Sequence, residues 1–267
     1  MPFKKQILTL LVIFPIFQIY AGITVLNGLT HIHNTQKGNT ITGEIVLKNM
    51  NQTESERFNV FIKDFDQSCD AQDQFLEIGS IERTLGKWIF LNTTERVLKP
   101  NEKYILKYTI KIPDNIELKK DYGSFWSNIL IEGDQVIDET ITSEGLKISS
   151  KIRYGVQMIV NIGEQLNPEI EFVNVELNKK NETNYEVDVV LENKGDFLIK
   201  PTLLLELFNN EGEDVYKTKA QFKKLYPESC KNFMLNINKV PKGSYEGVLV
   251  ADYGADMYAI NLSIDIE

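Results

Sequence analysis

Leu146-Lys-Ile-Ser-Ser-Lys-Ile-Arg-Tyr-Gly-Val-Gln-Met-Ile-Val160 decides the fold class, because nearly every even position is apolar and nearly every odd one polar. A period of two is that of a β-strand, with the even side chains on one face. The run is far longer than the usual strand of about five or six residues. Part of it therefore lacks a partner within its own domain. An under-paired strand with an apolar face either joins two domains or is offered to another polypeptide.

Outward from this run, the rest of the chain also reads as strands separated by turn residues, with no 3.6-residue period. That pattern predicts an all-β protein. Before the run lie Thr40–Lys48, Arg57–Ile62, Lys87–Leu91, Lys103–Ile112 and Phe125–Ile131. In the fourth of these, Tyr104, Leu106, Tyr108, Ile110 and Ile112 define a buried face, and Leu98-Lys-Pro-Asn-Glu102 turns into it, Asn101 tolerating unusual backbone angles. After Gly163-Glu-Gln-Leu-Asn-Pro168 comes a second set: Ile170–Leu177, Tyr185–Leu191, Thr202–Phe208, Asp214–Lys217, Asn232–Ile237, Tyr245–Asp252 and Met257–Ile266. The expectation is two immunoglobulin-like β-sandwich domains in tandem, over residues 22–162 and 163–267.

Lys4-Lys5, the apolar run Ile7–Ile19 and Ala21-Gly22 follow the order of a secretory signal peptide, predicting a leader over residues 1–21 and an exported chain in the periplasm or at the cell surface. No later segment is apolar for long enough to predict a membrane span. The net charge of −9 becomes −11 once Lys4 and Lys5 leave with the leader. With no basic stripe, nucleic acid is not an expected partner. Four sequons, at Asn51, Asn92, Asn181 and Asn261, would matter in a eukaryotic secretory pathway, but the abundance of Asn, Lys and Ile reads equally as an AT-rich bacterial genome.

Resources for chemistry are few. His31 and His33, the only two histidines, share one side of a strand and could give two imidazoles to a metal, but no third ligand is visible at fitting spacing, so polar surface is the simpler reading. Asp64, Asp66, Asp70 and Asp73 read as an acidic loop, without the glycine of a calcium-wrapping one. Cys69 and Cys230 lie in different halves, where a disulfide needs Cα atoms within about 7 Å. Two separate thiols are the simpler expectation, with a bridge as the alternative. No cysteine has a visible base, and neither a phosphate-cradling loop nor a paired-carboxylate framework is present. The expectation is a non-enzymatic binding protein with no catalytic residues, metal or cofactor. Trp88, Phe125 and Trp126 read as core of the first sandwich.

Asp121-Tyr-Gly-Ser-Phe125-Trp126-Ser-Asn128-Ile-Leu-Ile131, followed by Lys147-Ile-Ser-Ser-Lys151-Ile-Arg153-Tyr-Gly-Val, resembles the periplasmic pilus chaperones. There a Phe-Trp-x-Asn strand precedes a long last strand of alternating apolar residues. Leu47-Lys-Asn49 and the Leu98–Glu102 turn fit the same resemblance, which covers residues 23 to 162. It implies β-strand donation to an incomplete pilin-like or surface subunit. Leu146, Ile148, Ile152 and Tyr154 would fill that subunit's groove, and Lys151 or Arg153 would hold its terminal carboxylate. Where the family's first strand supplies an arginine, Thr30 to His33 offers histidine. Tyr226-Pro-Glu-Ser229 and Lys242-Gly-Ser-Tyr245 resemble instead the second domain of surface proteins that interact with cell-wall WxL proteins. A static adhesion module of the cell envelope is the alternative function.

Overall fold

The computed structural model describes residues 22–69, 74–117, 120–134, 138–141, 147–164, 169–254 and 256–267, and no side chains within 138–141 and 147–150. The expected leader lies outside these residues, as do Asp70, Asp73, Leu146 and Pro168. No helix among the described residues is long and apolar enough to cross a membrane.

The first twelve strands are β1 (Ile23–Val25), β2 (Thr30–Thr35), β3 (Thr40–Asn49), β4 (Glu56–Asp66), β5 (Gln74–Leu76), β6 (Ile89–Leu91), β7 (Glu95–Leu98), β8 (Lys103–Lys111), β9 (Gly123–Gly133), β10 (Asp138–Ile141), β11 (Lys147–Ser150) and β12 (Arg153–Ile162). One sheet runs β1-β3-β8-β6; the sheet facing it runs β2-β12-β9-β4-β5, with β7 also on β4, and β10-β11 form a two-stranded ribbon. Between the two sheets lies a core of alternating residues, including Ile45, Leu47, Phe58, Leu106, Ile110, Phe125, Ile129, Val156, Met158 and Val160. The predicted buried face of β8 is the observed one, with Leu106, Tyr108, Ile110 and Ile112 buried and Tyr104 packed against the same core. At the turn into β8, Asn101 takes a φ of 58°, the left-handed conformation that Asn tolerates.

The second sandwich comprises β13 (Ile170–Lys179), β14 (Asn184–Asn193), β15 (Thr202–Phe208), β16 (Asp214–Ala220), β17 (Cys230–Asn238), β18 (Gly243–Asp252) and β19 (Met257–Ile266). Sheet β13-β14-β17 packs on sheet β16-β15-β18-β19. Tyr185, Val187, Val189 and Leu191 of β14 meet Leu203, Leu205 and Leu207 of β15 in its core. The chain is a tandem of two all-β sandwiches, as the sequence predicts.

Four expectations are corrected. The run from Leu146 to Val160 is not one strand: β11 and β12 part at Lys151-Ile152, and the pairing register shifts by three between Asp138↔Ser150 and Arg153↔Glu132. A register shift of this size breaks the ladder, so the ribbon and β12 are not one continuous strand. Trp126 is not core of the first sandwich: Phe125 points into that core, so its strand neighbour points to the opposite face. Trp126 stacks there against Tyr226 of the second sandwich, ring centroids 4.8 Å apart. Cys69 and Cys230 form a disulfide, with Cα atoms 4.6 Å apart, because the antiparallel bridge Ser68↔Ser229 brings their neighbours together. Finally, Asp64 lies in β4 and is fully buried, not in a solvated loop. One carboxylate oxygen accepts from Thr84 Oγ1 at 2.6 Å and Ser127 Oγ at 2.8 Å, the other from the Gly79 and Ser80 amides at 2.7 and 3.1 Å. Four donors satisfy a buried carboxylate without a cation.

Candidate functional site

β12 is held unequally along its length. On one side all ten of its residues, Arg153 to Ile162, pair with β9. On the other, β2 runs parallel to it and covers only Gln157 to Ile162. The reason lies in the N-terminal segment, which crosses between sheets. β1 pairs with β3 in one sheet, and after Leu26–Leu29 the chain re-enters as β2 on the edge of the other. From Arg153 to Val156 no described strand covers the outer edge of β12.

The direction of the uncovered groups follows from one hydrogen bond. The Gln157 amide donates to Leu29 O at 2.9 Å, so the backbone of Gln157 faces β2. Residues two apart on a strand turn their amides and carbonyls the same way, so Arg153 and Gly155 present theirs to the open side. An edge of this kind is a template for another strand.

The expected site residues divide here. Leu146 is outside the described residues, and of Ile148 only its backbone, paired with Thr140, is described. Ile152 is half-buried at the break between β11 and β12. Tyr154 points between the sheets, half-buried, its hydroxyl 2.9 Å from Thr24 Oγ1 of β1. Lys151 and Arg153 come together on Glu132 of β9: Arg153 Nε lies 2.8 Å from Oε2 and Lys151 Nζ 3.9 Å from Oε1. Arg153 keeps half its side chain exposed. The trio carries one net positive charge beside the open edge.

At the covered end of β12 the second sandwich docks. Ile159 joins Trp126 and Tyr226 in a buried cluster flanked by Phe65, Ile81 and Leu198. Lys224 reaches across to Thr30 Oγ1 at 2.6 Å and to the side-chain oxygen of Gln157. Burial, and then the charge of Lys200, hold the Lys224 ammonium below its ordinary value. Arg83 and Lys120 of the first sandwich bind Asp196 of the second, at 2.5 and 2.7 Å. The Asp196 carbonyl accepts from the Ser124 amide at 2.8 Å, and Ser124 Oγ accepts from Leu198 N at 2.6 Å. Sequence reasoning missed this junction. Its one legible signal was Ile159, an apolar residue at an odd position of an otherwise alternating run.

No protein-family model matches the chain, and no curated protein matches it. Among solved structures it is similar to the class 5 fimbriae chaperone CfaA, with 12% identity over 92% of this chain and 99% of that one, at a TM-score of 0.48. It is also similar to a chain of the Salmonella enterica SafA pilin–SafB chaperone complex, with 10% identity, coverage of 91% and 96% and a TM-score of 0.41. A third likeness is to the Pseudomonas aeruginosa CupB2 chaperone, with 14% identity, coverage of 88% and 97% and a TM-score of 0.36.

Proposed function

We propose that this chain is an exported, chaperone-like binding protein that holds a pilin-like or surface subunit by pairing it with the open edge of β12. The observation that carries the reading is the half-covered strand, paired with β9 throughout but with β2 only from Gln157 onward. A strand laid against Arg153 and Gly155 gains backbone hydrogen bonds, and side chains beside the edge supply selectivity. Ile152, with Ile148 and Leu146 further along, is offered to the subunit's groove, while Tyr154, turned inward onto Thr24, backs the edge from within its own sandwich. A partner carboxylate is drawn to Lys151 and Arg153, whose combined charge Glu132 only half cancels. In the resemblance noted from the sequence, that carboxylate is the subunit's C-terminus.

Gly155 provides the discriminating variant. Its amide faces the open side, so Gly155→Pro removes one intermolecular donor while leaving the β9 ladder its hydrogen bonds. Recovery of exported partners is compared between wild type, Gly155→Pro and Arg153→Glu, each with its folding checked by melting. Amide exchange at Arg153 and Gly155 is expected to be fast in the free chain and slow in the complex. Equal recovery by both folded variants would falsify strand pairing at this edge and favour a static adhesion module.

A further inference from the structure

His31 and His33 lie two apart on β2 and project from the same side of the strand, toward β8 of the facing sheet. Both rings reach one atom. His31 Nδ1 is 2.8 Å and His33 Nε2 3.0 Å from the Tyr108 hydroxyl oxygen. The remaining nitrogen of His31, Nε2, is 3.0 Å from Gly28 O. A carbonyl only accepts, so Nε2 bears the hydrogen and Nδ1 keeps its lone pair. Gly43 makes the convergence possible: a Cβ there would stand 2.1 Å from the Tyr108 hydroxyl oxygen. Tyr108 is buried, and both histidines are half-buried, which leaves the rings a route to solvent.

We propose that His31 Nδ1, His33 Nε2 and Tyr108 Oη are the protein ligands of a borderline divalent transition ion, copper(II) binding more tightly than zinc(II). Two imidazoles and one oxygen suit these ions, and copper leads the order of affinities for such donors. The His31–Gly28 hydrogen bond is of the kind that fixes the tautomer and aim of a ligating imidazole. The single Tyr108 hydroxyl hydrogen goes to His31 Nδ1, so without the ion His33 Nε2 donates to Tyr108 Oη. On binding, His33 moves its hydrogen to Nδ1, and both rings offer a lone pair to the ion. The Tyr108 oxygen, which bridges them in its absence, becomes the third donor and releases its proton to solvent. A fourth position stays open to water. The ion braces β2, the strand that covers part of the β12 edge, against β8 of the opposite sheet.

The mature chain without an affinity tag is titrated with copper(II) by calorimetry and electron paramagnetic resonance, with zinc(II) and magnesium as competitors. These are the only two histidines, so imidazole coupling in the copper spectrum has no other source. The expected result is one equivalent bound with coupling to two nitrogens, displaced by zinc only in large excess and untouched by magnesium. Tyr108→Phe retains the two-nitrogen coupling with weaker binding, and a folded His31→Gln/His33→Gln double variant loses stoichiometric binding. Binding no tighter than that of the double variant, or coupling to backbone nitrogen alone, overturns the proposal.

Discussion

Arg83 and Asp196 form a buried ion pair across the joint between the sandwiches, Nη2 to Oδ1 at 2.5 Å, with side chains only 8% and 14% exposed. Asp196 also receives Lys120 on the same oxygen and the Ser124 amide on its carbonyl. One residue of the second sandwich thus binds three residues of the first.

The joint should weaken in acid. Burial pushes the Asp196 carboxyl up, but hydrogen bonds from Lys120 and Tyr122 and the charges of Arg83 and Lys120 outweigh it and hold the carboxyl below its ordinary value. A folded value below the unfolded one means that this stabilisation is complete above the unfolded carboxylate's titration, near pH 4. It is lost as pH falls through the folded value. Asp196→Asn should cost about 3 kcal/mol at pH 7 and flatten that acid limb. Denaturant unfolding of wild type and variant between pH 7 and 3 checks both, and an unchanged acid limb in the variant would exclude Asp196 as its source.

Removing the bridge should cost more than removing any single hydrogen bond. Cys69 and Cys230 are separated by 161 residues, so their link constrains a very long unfolded loop. Loop entropy gives an upper figure of about 5 kcal/mol. The Cys69→Ser/Cys230→Ser variant is expected to keep its far-ultraviolet dichroism and unfold at a markedly lower denaturant concentration. An unmoved midpoint would mean that the non-covalent junction alone holds the halves together.

Trp126→Ala should uncouple the sandwiches rather than melt one. The substitution removes the stack on Tyr226 and the indole hydrogen bond to Phe65 O, while Phe125 and its core stay in place. A loss of about 3 kcal/mol is expected, with calorimetry splitting one transition into two. A single transition shifted bodily downward would show that Trp126 supports the first core instead.

Gly43→Ala should act on Tyr108. The new methyl would meet the tyrosine's Oη and Cζ at 2.1 and 2.2 Å, so the ring must leave its place between the sheets. The expected cost is about 2 kcal/mol, with displaced imidazole resonances for His31 and His33. Unmoved resonances would show that the ring finds room without leaving the histidines.

The sequence disclosed the strands whose apolar residues face inward at every second place. β8 is the example whose predicted face is the observed one, and β14, read as a strand, shows the same alternation. β2 was read as a strand with its histidines on polar surface, because its pattern is inverted: Ile32 points outward, 38% exposed, while His31 and His33 turn inward to Tyr108. The break at Lys151-Ile152 was hidden for a different reason. Alternation continues straight through it in the sequence, so nothing at Lys151-Ile152 marks it. The disulfide and the Arg83–Asp196 pair link positions more than a hundred residues apart, and nothing local marks either partner. Part of the candidate site was legible, namely the alternation that turns Tyr154, Val156, Met158 and Val160 of β12 to one face. Its open portion was not, because openness belongs to the neighbour that stops short.

The crossover at Leu26–Leu29 gives this architecture a single adjustable dimension. Moving the switch point two residues along the chain would expose or conceal one more pair of backbone groups on β12, without altering any residue between the sheets. The uncovered length of β12 can therefore lengthen or shorten through changes in one exposed connection. Both leucines that bracket it are nearly half exposed, so that length can vary while the two cores stay as they are.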